Sequence, residues 1–418
     1  MPGPFTIDAA AALPGPGWLR DRRAAAAERF AAASLPSTDE EVWRYSRIAD
    51  LDLDAYRLDG PAPSGIPAGL AELGESVAER SALVVTVDGR VVHREVDPAL
   101  AAKGLEVCPA GEGDLGAVAE RPTDVFAEMN DAFAAEPIVV RVPRGMTVDR
   151  PVVVATWLST PGLATFPRVV VRAGEDSDVT VLGYTGSDPV AGLVVPVVEL
   201  DAAPAARLRW LGVQDLGLAV WQVGSLVSRV DRDASLLACT AALGGDYARL
   251  RTDCRMEGRG ASGDLLAVYF GEADQTLDLR TFQDHAAPDT TSDLLFKGAV
   301  GGRSRSVYTG LIRVEKVARG TNAFQTNRTI KLSEHAWAES VPNLEIENND
   351  VRCSHASAIG PIDEDQRFYL ESRGVPPAIA ERLVVAGFFD EVLARLPVPP
   401  VVAALRRRVA TKLERRAG

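Results

Sequence analysis

Cysteine is scarce: Cys108, Cys239, Cys254 and Cys353 are the only four in 418 residues, and no two of them form a CxxC pair. Four thiols so dispersed do not make a disulfide framework, and they fit a chain kept in a reducing compartment. No apolar run approaches the ~20 residues needed to span a bilayer. Met1 to Trp18 shows no basic stretch followed by an apolar one, so no secretory signal is expected. These absences point to a soluble, cytoplasmic protein. Net positive charge is missing too: 58 acidic against 45 basic side chains give a formal charge of −13. Without a broad basic face to release phosphate counterions, nucleic acid is disfavoured as the main partner. There is no Walker A motif and no HExxH, so neither ATP hydrolysis nor zinc-protease chemistry is expected of this chain. Gly258 to Gly263 matches GxGxxG in letters but leads into a strand-like run at Leu265 rather than a helix, and reads as a turn.

What the chain does have is apolar content, 46% of residues, enough for a sizeable core in two or three domains. Arg20 to Ala33 is rich in strong helix formers and ends at Leu35-Pro36. Ser37 and Glu40 have the spacing of a capping box, which predicts a short helix through Trp43 and Tyr45. Pro61, Pro63, Gly65 and Pro67 mark a linker. Asp88-Gly89 between two β-prone runs predicts a hairpin, and Thr123 is placed to cap a helix running to about Ala135.

From Ile138 to about His355 short β-prone runs follow one another, separated by Gly, Asp, Asn and Ala-rich turns. Arg168 to Arg172, Val179 to Tyr184, Leu193 to Leu200, Arg207 to Gln214, Leu265 to Phe270, Val307 to Val314, Phe324 to Leu332 and Val341 to Glu347 are examples. More than 200 residues of this texture exceed what a sandwich needs. Turn-like segments recur near Arg303, Ala318 and Glu334, a spacing that suits a β-solenoid; a stack of antiparallel hairpins is the alternative. The expected class is therefore mainly β. A mixed helical region at 1–136 precedes a solenoid core at 137–360, and a helical region at 361–418 follows it. In that last region Ile379, Leu383, Val384 and Phe388 are spaced close to one apolar stripe. The tail from Arg406 to Arg416 is basic and helix-prone.

The most suggestive chemical constellation is Cys353-Ser354-His355. On a strand, residues two apart share a face, so Cys353 and His355 would project together. A thiolate and an imidazole side by side suit a soft transition metal; a buried cysteine beside a hydrogen-bonded histidine is the plainer reading. An iron–sulfur cluster normally takes four protein ligands, so a cluster here needs ligands from a second chain, a small carrier or solvent. A cysteine nucleophile assisted by His355 lacks a third group to orient the imidazole. His93, His285 and His335 read as strand-end, loop and turn residues. Asp363, Glu364 and Asp365 read as the acidic first turn of a helix.

Several ordered blocks resemble the SufB/SufD family of the SUF iron–sulfur cluster assembly system. They are Ser306-Val307-Tyr308-Thr309-Gly310-Leu311-Ile312, Gln325-Thr326-Asn327-Arg328, Ser340-Val341-Pro342-Asn343-Leu344-Glu345-Ile346 and Asp350-Val351-Arg352-Cys353-Ser354-His355. Asp363-Glu364-Asp365-Gln366, Phe368-Tyr369-Leu370 and Ser372-Arg373-Gly374 continue the series, and Glu40 to Tyr45 is similar to an N-terminal block of the family. SufB-type chains carry a cysteine in the block matched by Gln325-Thr326-Asn327; its absence here, with the Cys-Ser-His block, points to the SufD branch. Residues 60 to 290 match only in texture, and Ala356 stands where the family often has glycine.

The resemblance implies a right-handed parallel β-helix core flanked by helical regions, and a non-catalytic scaffold. It implies pairing with a SufB-type subunit through the β-helix and docking of a SufC-type ATPase on the C-terminal helices, for which Ile379, Leu383, Val384 and Phe388 are the candidate surface. It assigns His355, and more weakly Cys353, to a transient iron–sulfur cluster at the interface with the partner. A homodimer of this chain alone, serving as a purely structural scaffold, is one alternative. A β-solenoid enzyme acting on polysaccharides is the other. No motif speaks for or against a flavin.

Overall fold

The computed structural model describes residues 3–63, 65–118 and 122–417. Its centre is a parallel β-solenoid whose strands alternate between two sheets. The first sheet holds ten strands, from the hairpin Ala82–Val87 and Arg90–Val96 to Arg352–Gly360. The second holds eleven and ends on Trp337–Ile346. Apart from one antiparallel pair at the first end of each sheet, neighbouring strands pair in parallel, as in Thr276–His285 with Arg305–Val314. The antiparallel-stack alternative fails on this parallel pairing.

Strands covered on both faces read as unbroken apolar runs. Val152–Leu158 is buried at every position. Between the sheets Val84, Val140, Val154, Val171, Leu200, Leu236, Leu265, Leu294 and Phe296 form one continuous core. The long run predicted from Leu193 to Leu200 is two strands, Gly192–Val194 and Val197–Ala202. Pro196 lies between them and has no amide hydrogen to give to a ladder.

The turns carry a regular repeat that the residue types conceal. Asp176, Ala205, Asp233, Gly260, Asp289 and Gly320 all have positive φ and recur about every 29 residues. Each donates its amide hydrogen to a carbonyl one coil further on. Asp176 reaches Pro204 at 3.0 Å, Ala205 reaches Arg232 at 2.8 Å, and Gly320 reaches Asp350 at 2.7 Å. The hairpin at Asp88-Gly89 also forms as expected, with both residues at positive φ as a type I′ turn demands. It adds the first layer to the ten-stranded sheet, pairing in parallel with Val152–Leu158.

Outside the solenoid, helices Gly17–Ala32 and Val125–Phe133 pack Phe30, Phe126 and Phe133 against Trp221 and Tyr247 of the second sheet and Phe166 of a connecting segment. Two sequence expectations change here. The capping box forms only in part: Glu40 accepts from the Ser37 amide at 3.0 Å, but a single 3₁₀ turn, Glu41–Trp43, follows. Trp43 is buried in the core beneath the Arg249 guanidinium. The helix at 125 is capped by Asp124 rather than Thr123, because the Thr123 hydroxyl is engaged with Ser225 at 3.0 Å.

After the solenoid come helices Glu364–Glu371, Pro377–Leu393 and Pro399–Ala417. The last two press Val385, Phe389, Val392, Val401, Leu405 and Val409 onto the outer face of the first sheet, against Leu211, Leu266 and Phe270. No helix among the described residues is long and apolar enough to cross a membrane.

Candidate functional site

The solenoid ends on a coil with two open edges. Among the described residues Trp337–Ile346 pairs only with Arg305–Val314, and Arg352–Gly360 only with Asn322–Lys331. Burial falls with the loss of a covering layer: Arg352–Gly360 has no buried residue, and Leu344, Ile346 and Ile359 are 36%, 43% and 39% exposed. Free strand edges with apolar side chains are sites of pairing with another chain unless they are covered or charged.

The register fixes which side chains face the interior at this end. Ala323, Gln325, Asn327 and Thr329 are buried between the sheets, and their partners in the last strand are Cys353, His355, Ser357 and Ile359. Cys353 and His355 therefore lie on the same, inward side of the strand, but in different surroundings. Cys353 is half-buried against Ile312, Val314, Ala318 and Ala323, and burial pushes its thiol pKa up. His355 is exposed, and no hydrogen bond among the described residues holds it. Beneath it the amide nitrogen and oxygen of Gln325 are buried and unpaired. Gln325 lies over Gly310, where an added Cβ would have to displace the Gln325 amide and the Tyr308 hydroxyl. Ser340 links the two sheets across the open end, meeting Ser357 at 2.7 Å and Asn327 at 3.0 Å.

The remaining sulfur and imidazole groups are elsewhere. Cys239 and Cys254 are fully buried; burial raises both thiols, Cys254 to about 12. Cys108 lies 4.0 Å from an Arg141 nitrogen. His285, expected in a loop, ends a strand inside the solenoid, with its ring nitrogens 2.8 Å from Thr290 and 2.9 Å from Ser292. Burial pulls its pKa down to about 4. His335 lies in a turn, and His93 lies in a hairpin strand 3.7 Å from Glu95. Among the described residues no three His, Cys, Asp or Glu side chains converge to hold a metal ion. Any ion bound at His355 must find most of its ligands outside the described part of this chain.

Beside the open end lies a cleft of about 1200 Å³ between Ala358–Gly360 and the C-terminal helices. Lys297 on its floor is buried, donates to the Phe388 carbonyl at 2.9 Å and is paired with Glu391. Of the predicted stripe, Ile379 and Leu383 are 37% and 51% exposed, while Val384 and Phe388 are half-buried along the cleft. The helix turns Ala380, Val385, Phe389, Val392 and Leu393 inward instead. Asp363 caps the preceding helix by accepting from the Gln366 amide at 3.0 Å. That helix leaves Phe368 and Tyr369 71% and 56% exposed. Sequence reasoning singled out neither Lys297 nor Gln325 by itself. A lysine inside an apolar run, Leu294 to Val300, was the available signal for the first; nothing local marks the second.

A family model described as the SufBD core domain of the SUF system for iron–sulfur cluster assembly matches residues 156–388. An iron–sulfur cluster assembly SufBD family protein of Mycobacterium tuberculosis is 33% identical over 395 residues, covering 92% of this chain and 90% of the relative. A chloroplastic protein of Arabidopsis thaliana, ABCI7, is 28% identical over 286 residues, 66% of this chain and 60% of that one. A SufBD family protein of Staphylococcus epidermidis is 22% identical over 411 residues, 92% of this chain and 87% of the relative.

Proposed function

Because this chain belongs to the SufBD family of iron–sulfur cluster assembly proteins, we propose that it is a SufD-type, non-catalytic scaffold subunit of the cytoplasm. It joins a SufB-type subunit through its last coil and takes a SufC-type ATPase on its C-terminal helices. One observation carries the reading: an exposed histidine, His355, stands on an open strand edge, and among the described residues no set of three metal-ligating side chains gathers there. A nascent cluster, the cargo of such a complex, needs several thiolates. The edge that presents His355 is also the edge open to another chain, so the partner's residues would arrive beside it. Cys353 is the weaker contributor, because its thiol is packed into an apolar cluster and burial disfavours the thiolate.

The SufD branch is favoured by the block Gln325-Thr326-Asn327, which offers amides and a hydroxyl where a SufB-type chain would offer a thiol. Docking of the ATPase is supported by Ile379 and Leu383, which remain exposed on a helix whose opposite side is spent on the solenoid. In this scheme residues 1–136 steady the solenoid, 137–360 form the partner-binding core, and 361–418 receive the ATPase.

The test compares iron and acid-labile sulfide in the anaerobically purified three-component complex, wild type against His355→Ala and Cys353→Ala. The expected result is intact assembly in all three, with severe loss of both elements in His355→Ala and little loss in Cys353→Ala. Equal loading in His355→Ala overturns the assignment and moves the site to the other subunit.

A further inference from the structure

On the outer face of the eleven-stranded sheet, four parallel strands place Ser225, Arg251, Arg280 and Thr309 in one register row. In-register neighbours lie about 4.8 Å apart, and like charges set side by side repel. Two of the arginines near this row already have carboxylate partners. Arg249 is paired with Asp278 and lies over the Trp43 ring at 3.9 Å. Arg251 holds Asp253 at 2.8 Å and donates to the Thr123 carbonyl at 3.1 Å.

Arg280 is different. It is half-buried over the Phe282 ring at 4.8 Å, and no ion pair or hydrogen bond holds it among the described residues. Arg251 faces the same ring at 4.6 Å. Burial, then the charges of Arg249 and Arg251, pull the Arg280 pKa down to about 10. Asp278 and Asp253 act on it from nearby, but each is already hydrogen-bonded to another arginine. The fold thus keeps a guanidinium in a position that repels its neighbour, with none of its N–H donors taken up by a described residue.

We propose that Arg280 and Arg251, beside Thr309 and against the flat wall of Phe282, form a binding site for a small oxyanion, the phosphate or carboxylate group of a soluble ligand. A guanidinium fork matches such a group with two parallel hydrogen bonds. An anion there relieves the repulsion between the two arginines, so binding and local stability are coupled.

The experiment is equilibrium dialysis of the full chain with radiolabelled inorganic phosphate, and in a second arm acetate, at matched ionic strength. The expected result is one saturable site that weakens at least tenfold in Arg280→Gln, with Arg280→Lys intermediate. Saturable binding in the phosphate arm assigns a phosphate-bearing ligand; saturable binding of acetate alone assigns a carboxylate. Thermal unfolding in anion-poor buffer supplies the second readout. Arg280→Gln should melt no lower than wild type there, because a repulsive contact is removed, and wild type should gain more from phosphate than the variant. Absence of saturable binding in both arms, equal binding by the variant, or a lower melting temperature of the variant in anion-poor buffer overturns the proposal.

Discussion

His285 and His355 carry the same side chain in opposite degrees of solvation, and their chemistry divides accordingly. His285 is enclosed between two hydroxyls, and burial holds its pKa at about 4. In the unfolded chain the value returns to ~6.5. Between these two pH values the unfolded chain binds the additional proton, so this contribution is complete above pH ~6.5 and is lost as pH falls toward ~4. The loss is on the order of 3 kcal/mol, because each tenfold change in proton affinity is worth ~1.4 kcal/mol. Chemical denaturation of wild type and His285→Gln from pH 4 to 7 should therefore show a shallower acid decline in the variant. Identical slopes would remove His285 from the acid response. The thiols make a parallel case. With Cys239 and Cys254 fully buried and the Cys353 thiol raised by burial, iodoacetamide at neutral pH should modify none of these three rapidly in the folded chain; fast labelling of Cys353, read by mass spectrometry, would contradict its place in the apolar cluster. The sequence made the shared face of Cys353 and His355 legible through strand periodicity. It did not reveal the burial of His285, because Thr290 and Ser292 cover the ring only once the chain has turned into the next strand. Thr123 and Asp124 were both competent caps by type, and the tertiary partner Ser225 decided between them.

At the scale of elements, the helix Pro377–Leu393 shows why apolar spacing alone misplaces a surface. Ile379, Leu383, Val384, Val385, Phe388, Phe389, Val392 and Leu393 surround its axis, so several stripes could be drawn through them. The solenoid selects the face with Val385, Phe389 and Val392. Phe389→Ala should then cost about 3–5 kcal/mol, while Leu383→Ala should stay within about 0.5 kcal/mol. If Leu383 docks the ATPase, its substitution should weaken capture of that partner without changing the denaturation midpoint. Equal destabilisation by the two substitutions would show that the helix packs differently. The β-helix was legible from the succession of short strands and turns, but its true period was not. The positive-φ position of each turn is filled by Asp, Ala or Gly in turn, and what repeats is a backbone angle and an amide hydrogen bond rather than a residue. The hairpin at Asp88-Gly89 was legible because there the turn geometry does restrict residue type.

At the scale of the molecule, the solenoid is covered unevenly. The hairpin caps the first sheet at its beginning, the N-terminal helices cover the second sheet, and the C-terminal helix lies along the first, where Arg407 meets Glu72, Arg408 meets Asp215 and Lys412 meets Glu272. At the far end Trp337–Ile346 and Arg352–Gly360 have no further strand paired over them among the described residues. In a stacked repeat each layer is stabilised by its neighbours, so a terminal layer with one neighbour opens most readily. Amide hydrogen exchange of the isolated chain should accordingly be fast in these two strands and slow in Tyr247–Met256 and Ser262–Gly271, which have paired strands on both sides. Addition of a SufB-type partner should slow exchange at the last coil selectively. Leu344→Asp with Ile359→Asp should abolish that protection while leaving the melting temperature of the isolated chain nearly unchanged, because both side chains are already exposed. Protection that appears on another face, or survives the double substitution, would locate the partner elsewhere and separate His355 from the interface. Protection confined to the last coil would instead mean that the open edges, the exposed histidine and the second set of ligands meet in one place, where the chain by itself is least complete.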